Sequence, residues 1–119
     1  MFLCFFHHAN IFFSACISGG GGANFGNAAS EYAAQSGLGY VAASAALDAG
    51  YSGRDIRIGI ADSGIDGQHS EFVGRVHAGN DGHSTSDGRI DLHGHGTHVA
   101  AIAGAAENGN GMLGVAPKS

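Results

Sequence analysis

One short segment constrains this chain more than any other. Ile56, Ile58 and Ile60 alternate with Arg57 and Gly59, and the run stops at Ala61-Asp62-Ser63-Gly64. β-branched residues concentrated over so few positions predict a buried strand, and Ser63-Gly64 predicts its end. Farther along, His95 to Glu107 places Val99, Ile102, Ala103 and Ala106 at helical spacing, which predicts a helix with one apolar stripe. Asn108-Gly109-Asn110-Gly111 predicts its stop, and Leu113-Gly114-Val115-Ala116 opens a new apolar run. Strand, long loop, helix and a further apolar run is the order of an α/β domain with a parallel sheet. A parallel sheet is covered on both faces. The elements here are too few to cover one, so the expected fold is an incomplete α/β domain.

The rest of the chain divides into zones. Residues 1–18 are apolar and aromatic, interrupted by His7, His8 and Asn10, and too short to span a bilayer. They read as a degenerate export signal. Phe13-Ser14-Ala15-Cys16 resembles a bacterial lipoprotein cleavage box, which would make Cys16 a lipid anchor and place the protein outside the cell, secreted or on the surface. Against that pattern, no Lys or Arg precedes Arg54, whereas export signals normally begin with positive charge. Residues 19–30 are rich in Gly, Ala and Asn and read as a flexible tether. From residue 31 to 119 the pattern is globular. Within it, Tyr40 to Asp48 favours helix and Gly50 favours a left-handed stop. Ser52-Gly53-Arg54-Asp55 predicts a turn, and residues 67–91 predict loop with at most short strands.

Composition excludes several function classes. A net charge of −5 with only five Lys plus Arg argues against a nucleic-acid binder and against a basic membrane-surface helix. Cys4 and Cys16 form no CxxC pair, so a thiolate zinc site is not supported.

Two segments carry chemistry. Asp62 stands where the predicted strand ends, at the edge where open α/β sheets place their active sites. Alone, such an Asp is more often a turn former or helix cap. His95 stands at the mouth of the predicted helix between Gly94 and Gly96. Imidazole is the side chain that exchanges protons most readily near neutral pH. Alone, it would read as a solvent-facing histidine.

Taken together, Ile60-Ala61-Asp62-Ser63-Gly64 and His95-Gly96-Thr97-His98-Val99-Ala100 resemble the Asp and His motifs of the subtilisin-like serine proteases, in the family's order. His69-Ser70-Glu71-Phe72 and Gly111-Met112-Leu113-Gly114-Val115-Ala116-Pro117 extend the similarity, which covers about residues 45–119. The resemblance implies a three-layer subtilisin-like α/β fold and hydrolysis of protein or peptide substrates. It implies that Asp62 is the triad carboxylate and His95 the general base. It also implies that Ser63 steadies Asp62 by hydrogen bonding, that His98 is structural, and that a calcium ion, needed for structure rather than catalysis, could use Glu71 and Asn108. The alanine-rich lead-in and Gly tether are similar to those of the surface autotransporter proteases. The family's Gly-Thr-Ser-Met-Ala nucleophile motif and oxyanion-hole Asn are not in this sequence, and Ser84, Ser86 and Ser119 lack the right neighbours. The expectation is a chain that carries Asp and His only, inactive alone.

Two other readings compete. His93, His95 and His98 form His-x-His-x-x-His, which resembles the zinc motif of metallo-β-lactamase-type hydrolases, although Thr97 stands where those have Asp. The other is an inert surface lipoprotein fragment whose protease-like half is scaffold.

Overall fold

The computed structural model describes residues 28–77, 79 and 88–119. The export segment with Cys16, most of the tether, and Ser84 and Ser86 lie outside the described residues. Four helices are present: α1 (Ala28–Ala33), α2 (Ser36–Tyr40), α3 (Ala43–Asp48) and α4 (His95–Gly104). Helix α1 begins inside the segment read as tether.

The helix expected over Tyr40 to Asp48 is divided instead. Helix α2 ends at Tyr40, Ala42 takes a left-handed φ of 53°, and α3 follows. The reason lies in what must be buried. Leu38, Ala43 and Leu47 pack with Leu113 in one cluster, with Tyr32 and Val115 against it. At 3.6 residues per turn, Leu38 and Leu47 would fall on opposite faces of one continuous helix. A break at residues 41–42 brings both to Leu113. Tyr32 ties the corner: its hydroxyl donates to the Leu38 carbonyl (3.2 Å) and accepts from the Ser44 N–H (3.2 Å). Gly50 takes the expected left-handed conformation, with φ of 91°.

The strand expected over Ile56 to Ile60 is unpaired. Among the described residues there is no strand, and no backbone hydrogen bond pairs residues 57–61 with another segment. Ile56, Ile58 and Ile60 are half-buried and Arg57 and Gly59 exposed, so the segment alternates instead of being buried throughout. A segment becomes a strand only when a neighbour takes its N–H and C=O groups, and no described residue does so. The loop that follows makes two such bonds, Ile65 N–H to Gly88 O (3.1 Å) and Gly67 N–H to Arg89 O (3.3 Å).

Helix α4 stops at Gly104, short of Glu107. Its last free carbonyls are taken by the returning chain: Val115 and Ala116 donate to Ile102 and Ala103 (3.1 and 2.8 Å), and Gly114 donates to Ala105 just beyond (3.1 Å). These bonds satisfy groups that otherwise face solvent unpaired at a helix end, and they need the chain to turn at Ala105. The buried face of α4 is not the stripe expected from Val99, Ile102, Ala103 and Ala106. It consists of Gly96, Ala100, Ala101, Ala103 and Gly104, while Ile102 is exposed. Small residues let the helix lie directly on the Ile56–Ala61 segment. A Cβ on Gly96 would collide with the Gly64 backbone, and one on Gly104 would come within 3.9 Å of the Ile58 Cδ1. The two elements therefore run in opposite directions, with the start of α4 at the end of the Ile56–Ala61 segment. Phe72, Ala100, Ala101 and Ala105 form the second core cluster, with Ile60, Ile65, Val76 and Met112 packed on it.

Candidate active site

That antiparallel seating brings Asp62 to His95. The Asp62 Oδ1 lies 2.7 Å from the His95 Nδ1. The carboxylate side chain is 14 % exposed and the imidazole 65 %, so one partner is held in the protein and the other faces solvent. The Ser63 backbone N–H donates to the same Oδ1 (2.7 Å). Burial pushes the Asp62 carboxyl up, but the hydrogen bonds from His95 and from Ser63 N–H, with the charge of His95, outweigh it and hold the carboxyl below its usual range. Ionised at neutral pH, it can only accept. The proton between them is therefore carried by Nδ1, and in the neutral imidazole Nε2 is the nitrogen able to accept one.

Ser63 reaches Asp62 chiefly through its backbone N–H, with a smaller pull from its hydroxyl. Its hydroxyl donates to Asp91 Oδ1 (2.9 Å) and accepts from the Gly96 N–H (3.0 Å). Asp91 was not among the residues singled out by the sequence. Its carboxylate accepts the N–H groups of His93 (3.0 Å) and Gly94 (2.9 Å), and both the N–H (2.8 Å) and hydroxyl (2.6 Å) of Thr97. These bonds, the Thr97 hydroxyl foremost, outweigh partial desolvation and drive its carboxyl far below the usual range. An Asp a few residues before a helical run is the only signal for such a carboxylate, and it stands three residues before the N-cap Gly94.

The three histidines of the zinc reading do not gather. His95 is engaged by Asp62, His93 and His98 are exposed, and no three His, Cys, Asp or Glu side chains among the described residues form a metal-holding group. Ser119 is not near the pair. Its carbonyl accepts from Arg75 Nη2 (2.9 Å), and its hydroxyl lies by Gly104, at the end of α4 opposite His95, beside an open cleft of about 850 Å³.

Glu71 and Asn108 do meet. Asn108 Nδ2 donates to Glu71 Oε2 (3.1 Å), and the Asn108 backbone N–H donates to Glu31 Oε1 (3.3 Å). Glu31 and Glu71 are only 3 % and 2 % exposed, and Glu31 Oε2 is buried with no hydrogen-bond partner. A carboxylate oxygen so placed is costly unless something positive reaches it. Two buried carboxylates meet one residue beside a glycine-rich loop, and Asn108 faces Glu71 with its amide nitrogen while its oxygen accepts from the Asn110 N–H (2.9 Å).

No helix among the described residues is long and apolar enough to cross a membrane. The family model for the subtilase family matches residues 53–119. Among curated relatives, subtilisin DY of Bacillus licheniformis is 41 % identical over 68 residues, covering 57 % of this chain and 24 % of that protein. An intracellular serine protease of Paenibacillus polymyxa is 37 % identical over 71 residues, covering 56 % and 22 %. An extracellular serine protease of Serratia marcescens is 41 % identical over 90 residues, covering 72 % and 8 %. The chain thus spans less than a quarter of the length of each.

Proposed function

Because the chain belongs to the subtilase family, we propose that it supplies the Asp and His of a serine endopeptidase whose nucleophile comes from sequence not contained in these 119 residues. His95 takes the proton from a serine hydroxyl as that hydroxyl attacks a peptide carbonyl, then returns it to the leaving amine. Asp62 holds the imidazole with its proton on Nδ1 and stabilises the imidazolium. The observation that carries the reading is the 2.7 Å contact between the two motif side chains, with Nε2 left able to accept a proton. The substrates are proteins or peptides, and the fold is that of a subtilisin-type domain in which further parallel strands pair with Ile56–Ala61.

The test joins this chain to a subtilase segment bearing Gly-Thr-Ser and follows hydrolysis of a peptide substrate and labelling by a serine-directed fluorophosphonate. The joined protein is expected to turn over and the chain alone to be inert. Asp62→Ala and His95→Ala each lower kcat by about 10⁴-fold or more, a magnitude taken from subtilisins themselves. Full activity in both variants would remove the assignment. We also propose that Cys16 is lipidated after export, which mass spectrometry of membrane-fraction protein checks. Glu31, Glu71 and Asn108 would hold a calcium ion that neutralises the buried carboxylates. Calcium is then expected to raise the thermal midpoint, and Glu31→Ala to abolish the rise.

A further inference from the structure

We infer that Asp91 is the positioning residue of the Asp62–His95 pair: its carboxylate joins the loop after Asp62 to the first turn of α4, and so sets where the imidazole stands. The inference rests on the reading of that pair as the working groups of a hydrolase.

Besides the Asp62–His95 contact, two hydroxyl bridges cross between the loop and the helix, and Asp91 accepts the hydroxyl proton in both. In the first, Ser63 donates its hydroxyl proton to Asp91 Oδ1, which turns its lone pairs toward the Gly96 N–H. Gly96 is the neighbour of His95, and Ser63 is the neighbour of Asp62. In the second, Thr97 donates its hydroxyl proton to Asp91 Oδ2 and accepts the Asp66 N–H (2.9 Å). A hydroxyl can serve as an acceptor in one fixed direction only when its proton is committed elsewhere. Asp91 makes that commitment for both. The same carboxylate holds His93, Gly94 and Thr97 by their backbone N–H groups, which fixes the chain on either side of His95. A simple helix cap would need only the bond to Thr97; it would have no use for Ser63.

The decisive measurement is the tautomer ratio of neutral His95, read from its side-chain ¹⁵N shifts in the 119-residue chain. Contact with Asp62 favours the Nδ1–H form, whereas an unrestrained imidazole favours Nε2–H. Asp91→Ala is expected to lower the ratio of Nδ1–H to Nε2–H roughly tenfold, the weight of one charge-assisted hydrogen bond. Asp91→Asn, which keeps one accepting oxygen, should lower it less. Ser63→Ala cuts one bridge yet leaves the bonds from Asp91 to Thr97. It should lower the ratio while the backbone amide signals of α4 beyond Gly96 stay in place, so the test survives even if Asp91→Ala does not fold. A ratio unchanged in Ser63→Ala and Asp91→Asn overturns the role of Asp91 and leaves the pair itself standing. A chain without substitutions that already shows the Nε2–H form lacks the pair, and both readings fall together.

Discussion

Helix α4 and the segment Ile56–Ala61 each deliver one member of the pair, yet they are held in opposite ways. Helix α4 has backbone groups taken up at both ends, by Ser63 and Asp91 at the Gly96 and Thr97 N–H groups and by residues 115 and 116 at the Ile102 and Ala103 carbonyls. The Ile56–Ala61 segment has no backbone partner over residues 57–61 among those described, and it borders an open cleft. The contact at 2.7 Å nevertheless forms. Among the described residues the pair is held by local interlocks: glycine against glycine, a serine and one carboxylate.

Amide hydrogen exchange gives the largest expected contrast. The amides of Ala100 to Gly104 should exchange roughly a thousandfold more slowly than those of Arg57 to Ile60, since paired and buried groups open far less often. Equal protection in the two segments would break the comparison. Next come two glycines. Gly96→Ala puts a methyl group into the Gly64 backbone and within 3.1 Å of the Asp62 Cβ, which should cost about 2–3 kcal/mol in urea unfolding. Gly59→Ala meets nothing within 4 Å and should stay within about 0.5 kcal/mol. If the two were equal, close approach would not be what seats the helix.

Acid provides a smaller, sharper probe. The Asp62 and Asp91 carboxyls are both held below the ordinary aspartate value of 3.8 in the folded chain. A carboxyl depressed by folding contributes stability that is complete above its unfolded value and is lost as pH falls through its folded one. Unfolding midpoints should therefore be flat above that value and decline below it, and Asp91→Asn should flatten the decline; a drop beginning near neutral pH would contradict the assignment. The smallest effect belongs to Leu92, 89 % exposed between Asp91 and His93. Leu92→Ser should change stability by no more than about 0.5 kcal/mol in the same urea experiment.

The motifs around Asp62 and His95 were legible because both are compact and each residue type has a chemical reason to be there. The break at Ala42 was not, because helix propensity ranks Tyr40 to Asp48 favourably and only the distant Leu113 decides against continuity. The buried face of α4 was misread for a related reason. Hydropathy marks Val99 and Ile102, whereas the contact selects Gly96, Ala100 and Gly104 for their smallness. The strand expected over Ile56 to Ile60 is not formed among the described residues and its isoleucines are only half-buried, since pairing and covering come from elsewhere in a fold. Glu31 gave no signal, because nothing in a helix of six residues announces that one carboxylate will be drawn inward to Asn108.

The glycine-on-glycine seating of Gly64 and Gly96 has a mechanical consequence. With no side chain between the two backbones, there is no compliant layer to absorb a shift. Any displacement of α4 along its axis must carry the Ser63–Gly64 loop with it. Carboxylate and imidazole then travel as passengers on one frame, and the cleft beside them can widen or narrow without changing the gap that separates the two.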